Sequence, residues 1–188
     1  MRTTYLGELG YELYVPTEHA VDVYDRIVAA GEAHGLRHAG LKALASLRME
    51  KGYRDYGHDI DNTDNVYEVG LGFAVDLDHD FIGKEAVLTQ KVPLRRWLAG
   101  VMLEDPEPLM FHGEIVLRDG KPVGDVRAAS YGHTLGGAVG LAMIHADEPI
   151  KASHLRSGTW EVEVAGRRVP ARLSLRPMYD PKSERVRA

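Results

Sequence analysis

The sequence predicts an α+β chain in which a mixed layer of helices, loops and one strand is followed by a small Greek-key β-barrel. Three observations carry that reading. Before residue 91, apolar residues recur at helical spacing in two segments, each closed by a glycine, Gly35 and Gly52. After Val92 the texture changes to six short apolar runs separated by turn residues, with no convincing helix among them. Finally, 188 residues with 44% hydrophobic and 27% charged side chains suffice for one sizeable core or two small ones.

In chain order, Tyr11, Leu13 and Val15 alternate with Glu12 and Tyr14, the period of a strand with two unlike faces, so Glu12 and Tyr14 point away from the apolar row. Pro16 and Thr17 stop that strand and begin a helix with Val21, Tyr24, Ile27 and Val28 on one stripe, which Gly35 ends. A second helix runs from Leu41 to Lys51 with Leu41, Leu44 and Leu47 inward and Gly52 as its stop. The Asp- and Asn-rich stretch 59–65 is loop, 71–77 reads as a strand, and 84–89 as a short helix. The domain boundary is expected at 90–93, dividing the chain into residues 1–91 and 92–188. Beyond it the strand candidates are 97–103, 114–118, 122–128, 138–144, 159–165 and 170–175, with Asp119-Gly120 and Ala165-Gly166 at hairpin positions.

Composition excludes several classes. No apolar run approaches the roughly 20 residues of a membrane span, and none has the charged start of a secretory leader, so neither membrane nor secretion is expected. The absence of cysteine removes disulfides, thiolate nucleophiles and cysteine-held metals, and favours the cytoplasm or an organelle matrix. The net charge of −5 hides an asymmetry: residues 151–188 hold nine Lys/Arg against four Asp/Glu. Arg167, Arg168, Arg172 and Arg176 sit in strand-like sequence without interleaved aromatics, which reads as a solvated sheet face, or a rim for a polyanionic ligand, rather than a nucleic-acid surface. His34 and His38 have metal-ligand spacing but straddle a helix-ending glycine, and Asp59, Asp61 and Asp64 lack the glycine and closing glutamate of a calcium loop. Zinc and calcium are not expected. Gly83-Lys84 lacks the rest of a phosphate loop, and no glycine-rich dinucleotide fingerprint occurs, so no FAD site is expected within this chain.

Seven segments, in order, carry a resemblance: 5–16 (Tyr-Leu-Gly-Glu-Leu-Gly-Tyr-Glu-Leu-Tyr-Val-Pro), 39–41, 46–54, 57–60, 68–73, 80–85 and 130–136. Together they resemble the glycine cleavage T-protein (aminomethyltransferase) family, whose folate-binding module also occurs fused to dimethylglycine and sarcosine dehydrogenases. The resemblance implies that this chain is the C-terminal part of that module, binding tetrahydrofolate, which accepts a one-carbon unit from a methylated-amine-derived donor. Leu44 stands where plain T-proteins usually carry a folate-binding Arg, while 131–136 and Tyr179-Asp180-Pro181 resemble the dehydrogenase branch. The missing cysteine beside Lys51-Gly52-Tyr53 sets the chain apart from the branch linked to iron–sulfur assembly.

By that resemblance Glu12 anchors the pterin, because one carboxylate can accept both the amino group and the ring N–H of its donor edge. Tyr5 and Tyr14 match positions lining the folate pocket, with ordinary strand packing as the alternative, and Leu13 contributes backbone beside them. Phe73 matches a ring-stacking position, with a core role as its alternative. Arg48, Glu50 and Arg54 are expected to be structural, and Glu8 a turn residue. The family's catalytic Asp precedes the Tyr-x-Gly-Glu signature and nothing here stands in for it, so no catalytic residue is assigned. The chain is expected to be a fragment, inactive by itself and self-associating through unpaired strand edges. The alternative is a non-catalytic interaction domain that no longer holds folate.

Overall fold

The computed structural model describes residues 1–187. Its first helix, α1 (Ala20–Glu32), follows a 3-10 turn at Thr17–His19 and ends where Gly35 takes a positive φ. Helix α2 (Leu41–Glu50) ends in a Schellman motif: Tyr53 N–H donates to the Arg48 carbonyl and Gly52 N–H to that of Met49, with Gly52 at φ 65°. Gly52 thereby throws Tyr53 and Arg54 back along the helix end. Helix α3 (Lys84–Thr89) precedes the barrel.

The barrel comprises β1 (Arg96–Leu103), β2 (Ile115–Arg118), β3 (Lys121–Gly132), β4 (Gly137–His145), β5 (Trp160–Val164) and β6 (Arg167–Ser174), closed in the order β1-β4-β3-β2-β5-β6. All pairs are antiparallel, and β1 lying beside β4 of the β2-β3-β4 meander is the Greek-key arrangement. Asp119-Gly120 and Ala165-Gly166 form the β2–β3 and β5–β6 turns, with positive φ at both residues of each, as the right-handed twist of the flanking strands demands.

Alternation sorts the side chains. On β1, Ala99, Val101 and Leu103 fill the barrel, while Leu98 and Met102 face outward; on β4, Ala138, Ala142 and Ile144 point in and Val139, Leu141 and Met143 out. The outward row is buried too, against Met49, Ile60 and Val69 of the preceding region. Each such side chain contributes on the order of 1.5–3 kcal/mol. A short helix, α4 (Ala152–Leu155), interrupts the otherwise all-β half because it carries Leu155 into the barrel core. Arg167, Arg168, Arg172 and Arg176 are exposed.

Three expectations fail. Residues 11–15 are extended but form no strand, since no neighbouring segment pairs with them apart from the mutual Met1–Glu12 backbone contact. Residues 71–77 are not a strand either: Gly70, at φ 71°, turns the chain into a 3-10 helix at Gly72–Ala74. The helical stripes are not inward: no residue of α1 is buried, Leu41 is exposed, and α2 buries Ser46, Arg48, Met49 and Glu50 instead.

Candidate functional site

The most heavily buried ions of the molecule lie at and just beyond the C-terminal end of α2. Arg48 makes a bidentate pair with Asp59, through Nη1 to Oδ2 and at 3.1 Å through Nη2, and its Nη1 also donates to the Tyr53 carbonyl at 3.0 Å. Burial opposes the Arg48 charge, but the bonds to Asp59 outweigh it and its pKa is raised. Glu50, 1% exposed, accepts backbone N–H groups of Thr134 and Leu135 at 2.7 and 2.8 Å, which docks the β3–β4 turn. Gly132 makes that approach feasible, because a Cβ there would sit 2.9 Å from the Glu50 carboxylate oxygen. Arg54 donates to the carbonyls of Val69 (2.9 Å) and Gly52 (2.7 Å), and burial lowers its pKa. These residues pin the loops that follow α2.

Above them opens a concavity of about 850 Å³. Tyr5 and Tyr53 stack with ring centres 6.1 Å apart and planes 18° from parallel, and the Tyr5 hydroxyl donates to the Arg54 carbonyl at 2.9 Å. Burial raises both phenol pKa values, so at neutral pH each remains a hydrogen-bond donor. Tyr56, Phe73 and Trp97 complete an aromatic lining, and Phe73 is 86% exposed, a ring face available to a ligand rather than part of a core. The lining residues include no carboxylate.

Of the five residues expected at the site, Tyr5 and Phe73 line this concavity. Glu12, Leu13 and Tyr14 do not: all three are exposed on the unpaired segment, where the Tyr14 hydroxyl donates to Glu12 Oε2 at 2.7 Å, a bond that raises the Tyr14 pKa. That segment adjoins the concavity through Thr4, which lines it and lies against Gly10. Sequence reasoning missed Tyr53, Tyr56, Trp97, Lys51 and Arg54 as lining residues. The signal for Tyr53 and Arg54 was the glycine stop at Gly52, which reverses the chain and brings them over the helix end.

Residues considered for metals have other partners: Asp59 binds Arg48, Asp64 accepts from Arg96 at 2.7 Å, and Asp61 from the Thr63 hydroxyl at 2.6 Å. Among the described residues no group of three or more His, Asp or Glu is arranged to hold a metal ion, and no helix is long and apolar enough to cross a membrane.

Two family models match the chain: the GCVT N-terminal domain over residues 1–79 and the glycine cleavage T-protein C-terminal barrel domain over residues 96–180. The 4-methylaminobutanoate oxidase (formaldehyde-forming) of Paenarthrobacter nicotinovorans is 46% identical over 191 residues, covering 100% of this chain and 22% of that protein. The mitochondrial sarcosine dehydrogenase of Homo sapiens is 37% identical over 192 residues, covering 100% of this chain and 21% of that protein. This chain thus spans about a fifth of the length of these relatives. The crystal structure of glycine cleavage system aminomethyltransferase T from Bartonella henselae shares the fold, with a TM-score of 0.80 at 23% identity over 96% of this chain and 49% of that one.

Proposed function

From the premise that this chain belongs to the glycine cleavage T-protein family, we propose that it is a tetrahydrofolate-binding, one-carbon-transfer module of the dimethylglycine and sarcosine dehydrogenase-like branch. Its division would be residues 1–91 as the C-terminal half of the folate-binding domain and 92–188 as the C-terminal barrel. The observation that carries the proposal is the aromatic concavity, with the stacked Tyr5–Tyr53 pair and the exposed Phe73 ring both on its lining.

These residues fit such a cofactor. A flat heteroaromatic ring gains most from ring faces, which Tyr5, Tyr53 and Phe73 supply. Its donor edge needs an acceptor, and with no carboxylate on the lining that role falls to Glu12, on the neighbouring segment that Thr4 joins to the site. When bound, tetrahydrofolate would supply the nitrogens that accept a one-carbon unit derived from a methylated amine. The chain's own residues would orient the ring: Glu12 by its charge, Tyr5 and Phe73 by their rings, Tyr14 by the hydroxyl that donates to Glu12, and Leu13 by the backbone beside them. No residue here is assigned a catalytic role, and no FAD site is proposed. The proposed compartment is the cytoplasm or an organelle matrix.

Calorimetric titration of tetrahydrofolate into this chain and its Glu12→Gln variant tests the reading. The variant keeps shape but sets an NH₂ against the pterin's donors, so affinity should fall by about 1.5–3 kcal/mol, roughly ten- to a hundredfold. Equal affinity in the two proteins would remove Glu12 from the site.

The exposed Glu12, already bonded to Tyr14, is the one observation favouring the second reading, a non-catalytic interaction domain. That domain would self-associate through the exposed Tyr11, Leu13 and Tyr14 without binding tetrahydrofolate. Light scattering across a concentration range, with and without tetrahydrofolate, separates the two.

A further inference from the structure

After β6 the chain does not leave the molecule. Residues 175–183 turn back across the end of α2, with Met178 packed among Leu98, Leu141 and Met143 and their neighbours, and Leu175, Pro177, Pro181 and Ser183 on the lining of the concavity. This strap is held at polar points at Tyr179 and Asp180, just after Met178. Tyr179 N–H donates to the Glu50 carbonyl at 3.3 Å, and its hydroxyl donates to Glu8 Oε1 in the turn that opens the chain. Lys51, 1% exposed, donates from Nζ to the Asp180 carbonyl at 2.6 Å and to Asp180 Oδ2 at 2.8 Å.

The Lys51 side chain is the point where three sequence-distant walls meet. Its stem passes beneath Gly7, where an added Cβ would lie 2.7 Å from Lys51 Cγ, and Gly7 holds φ 79°. Its ammonium ends on the strap, and its backbone belongs to the end of α2. Asp180 in turn adopts φ 43°, a costly conformation for a non-glycine residue, and is held there by bonds from Ser183 N–H (2.9 Å) to its carbonyl and from Glu184 N–H (2.8 Å) to Oδ1. A buried ion pair contributes little net stability over an apolar pair of the same volume, so stability alone does not account for a lysine and a strained aspartate at this junction. Position does: the pair fixes where Pro177, Pro181 and Ser183 stand relative to Tyr5 and Tyr53.

We propose that Lys51 and Asp180 are positioning residues, a clasp that seats the strap 177–183 as one wall of the concavity and so sets how tightly the site holds a flat ring. This deepens, and rests on, the ligand reading above.

Two measurements keep the clasp and the ligand apart. Trp97 lines the concavity beside the strap, whereas Trp160 is 5% exposed inside the barrel, so acrylamide quenching reports mainly on Trp97 without any ligand. In Asp180→Ala the quenching constant should rise about twofold and the calorimetric affinity for tetrahydrofolate fall about tenfold. Tyr179→Phe, which loses only the bond to Glu8, should show the same changes in smaller degree and guards against a misfolded first variant. A merely structural role would lower the melting midpoint of both variants and leave quenching of the native state unchanged, which overturns the proposal. Raised quenching with unchanged affinity overturns the positioning role and leaves the folate reading standing. If the unaltered chain does not bind tetrahydrofolate while quenching still rises in Asp180→Ala, the folate reading falls and the clasp stands as the device that shapes the concavity.

Discussion

The barrel and the region before it bury their side chains by opposite means. Inside the barrel, Ala99, Val101, Val126, Ala142, Ile144 and Val162 are all fully buried, and the strands close on themselves so that every core side chain meets another. Before the barrel, the fully or nearly fully buried side chains include Arg48, Glu50, Lys51 and Asp59, while Tyr11, Leu13, Tyr14, Val21 and Phe73 are exposed. One half is held by apolar area throughout; the other is held at a few charged junctions and by Met49, Ile60 and Val69 against the barrel, and shows many of its other apolar side chains outward. A ligand site belongs on the second kind of surface, because ring faces not used in a core remain available to a ligand.

The sharpest way to break this comparison is at Arg48–Asp59, with side chains 5% and 0% exposed. Asp59→Ala leaves a buried guanidinium without its counter-ion and should cost about 3–5 kcal/mol, read from the urea midpoint. Replacing both partners with apolar residues, Arg48→Met with Asp59→Leu, should recover most of that loss. A double variant no better than the single one would mean that the region depends on charge itself rather than on avoiding an unpaired charge.

That contrast also explains what the sequence disclosed. All six strands of the barrel were legible to within a few residues, because each is a short apolar run bounded by turn residues, and because Asp119-Gly120 and Ala165-Gly166 supply the positive φ their turns need. β3 runs on to Gly132, past the expected end at Ala128, since Ala129, Ser130 and Tyr131 continue its register with β4. Residues 11–15 and 71–77 misled for the converse reason: alternation shows which side chains could share a face, but a strand exists only where a neighbour pairs with it. The α1 stripe has helical spacing, but none of its residues is buried. At the site, Tyr5 and Phe73 were legible through the resemblance, whereas Lys51 was not, because its role is set by Asp180, 129 residues away.

A smaller effect tests the barrel side. Ile144→Val removes one methylene from a fully buried position and should cost about 0.5–1.5 kcal/mol in the same measurement. Its effect on acrylamide quenching of Trp97 should be nil, although Ile144 pairs with Trp97 across β1 and β4, because Ile144 lies in the barrel core whereas the quencher reaches Trp97 from the concavity it lines. A change in quenching comparable to that of Asp180→Ala would show that barrel packing, not the clasp, shapes the site.

The smallest expected effect concerns acid. At the barrel floor Arg118 donates from Nη1 to the His154 ring at 3.0 Å and from Nη2 to Ser157 Oγ, while its guanidinium lies 5.6 Å from the centre of the Trp160 ring. An imidazole accepts only when neutral. Burial first, and the Arg118 charge second, lower the His154 pKa, so the folded value lies below the ordinary histidine value of about 6.5. A group depressed in this way contributes its stability in full above the unfolded value and loses it as pH falls through the folded one. The clasp obeys the same sign at lower pH: the bond from Lys51 is the main cause holding the Asp180 carboxyl below the ordinary value of about 3.9, so its contribution persists until that acid range is reached. Acid should therefore weaken the barrel floor before it releases the strap. Between pH 7 and 5 the urea midpoint should decline slightly in the unaltered chain and less in His154→Gln, whose side-chain carbonyl keeps an acceptor for Arg118 but does not titrate, the remainder falling to His145, whose pKa burial also lowers. Acrylamide quenching of Trp97 should stay constant over that range in both proteins, and equal slopes of the two midpoints would show that His154 does not set the acid response of the barrel.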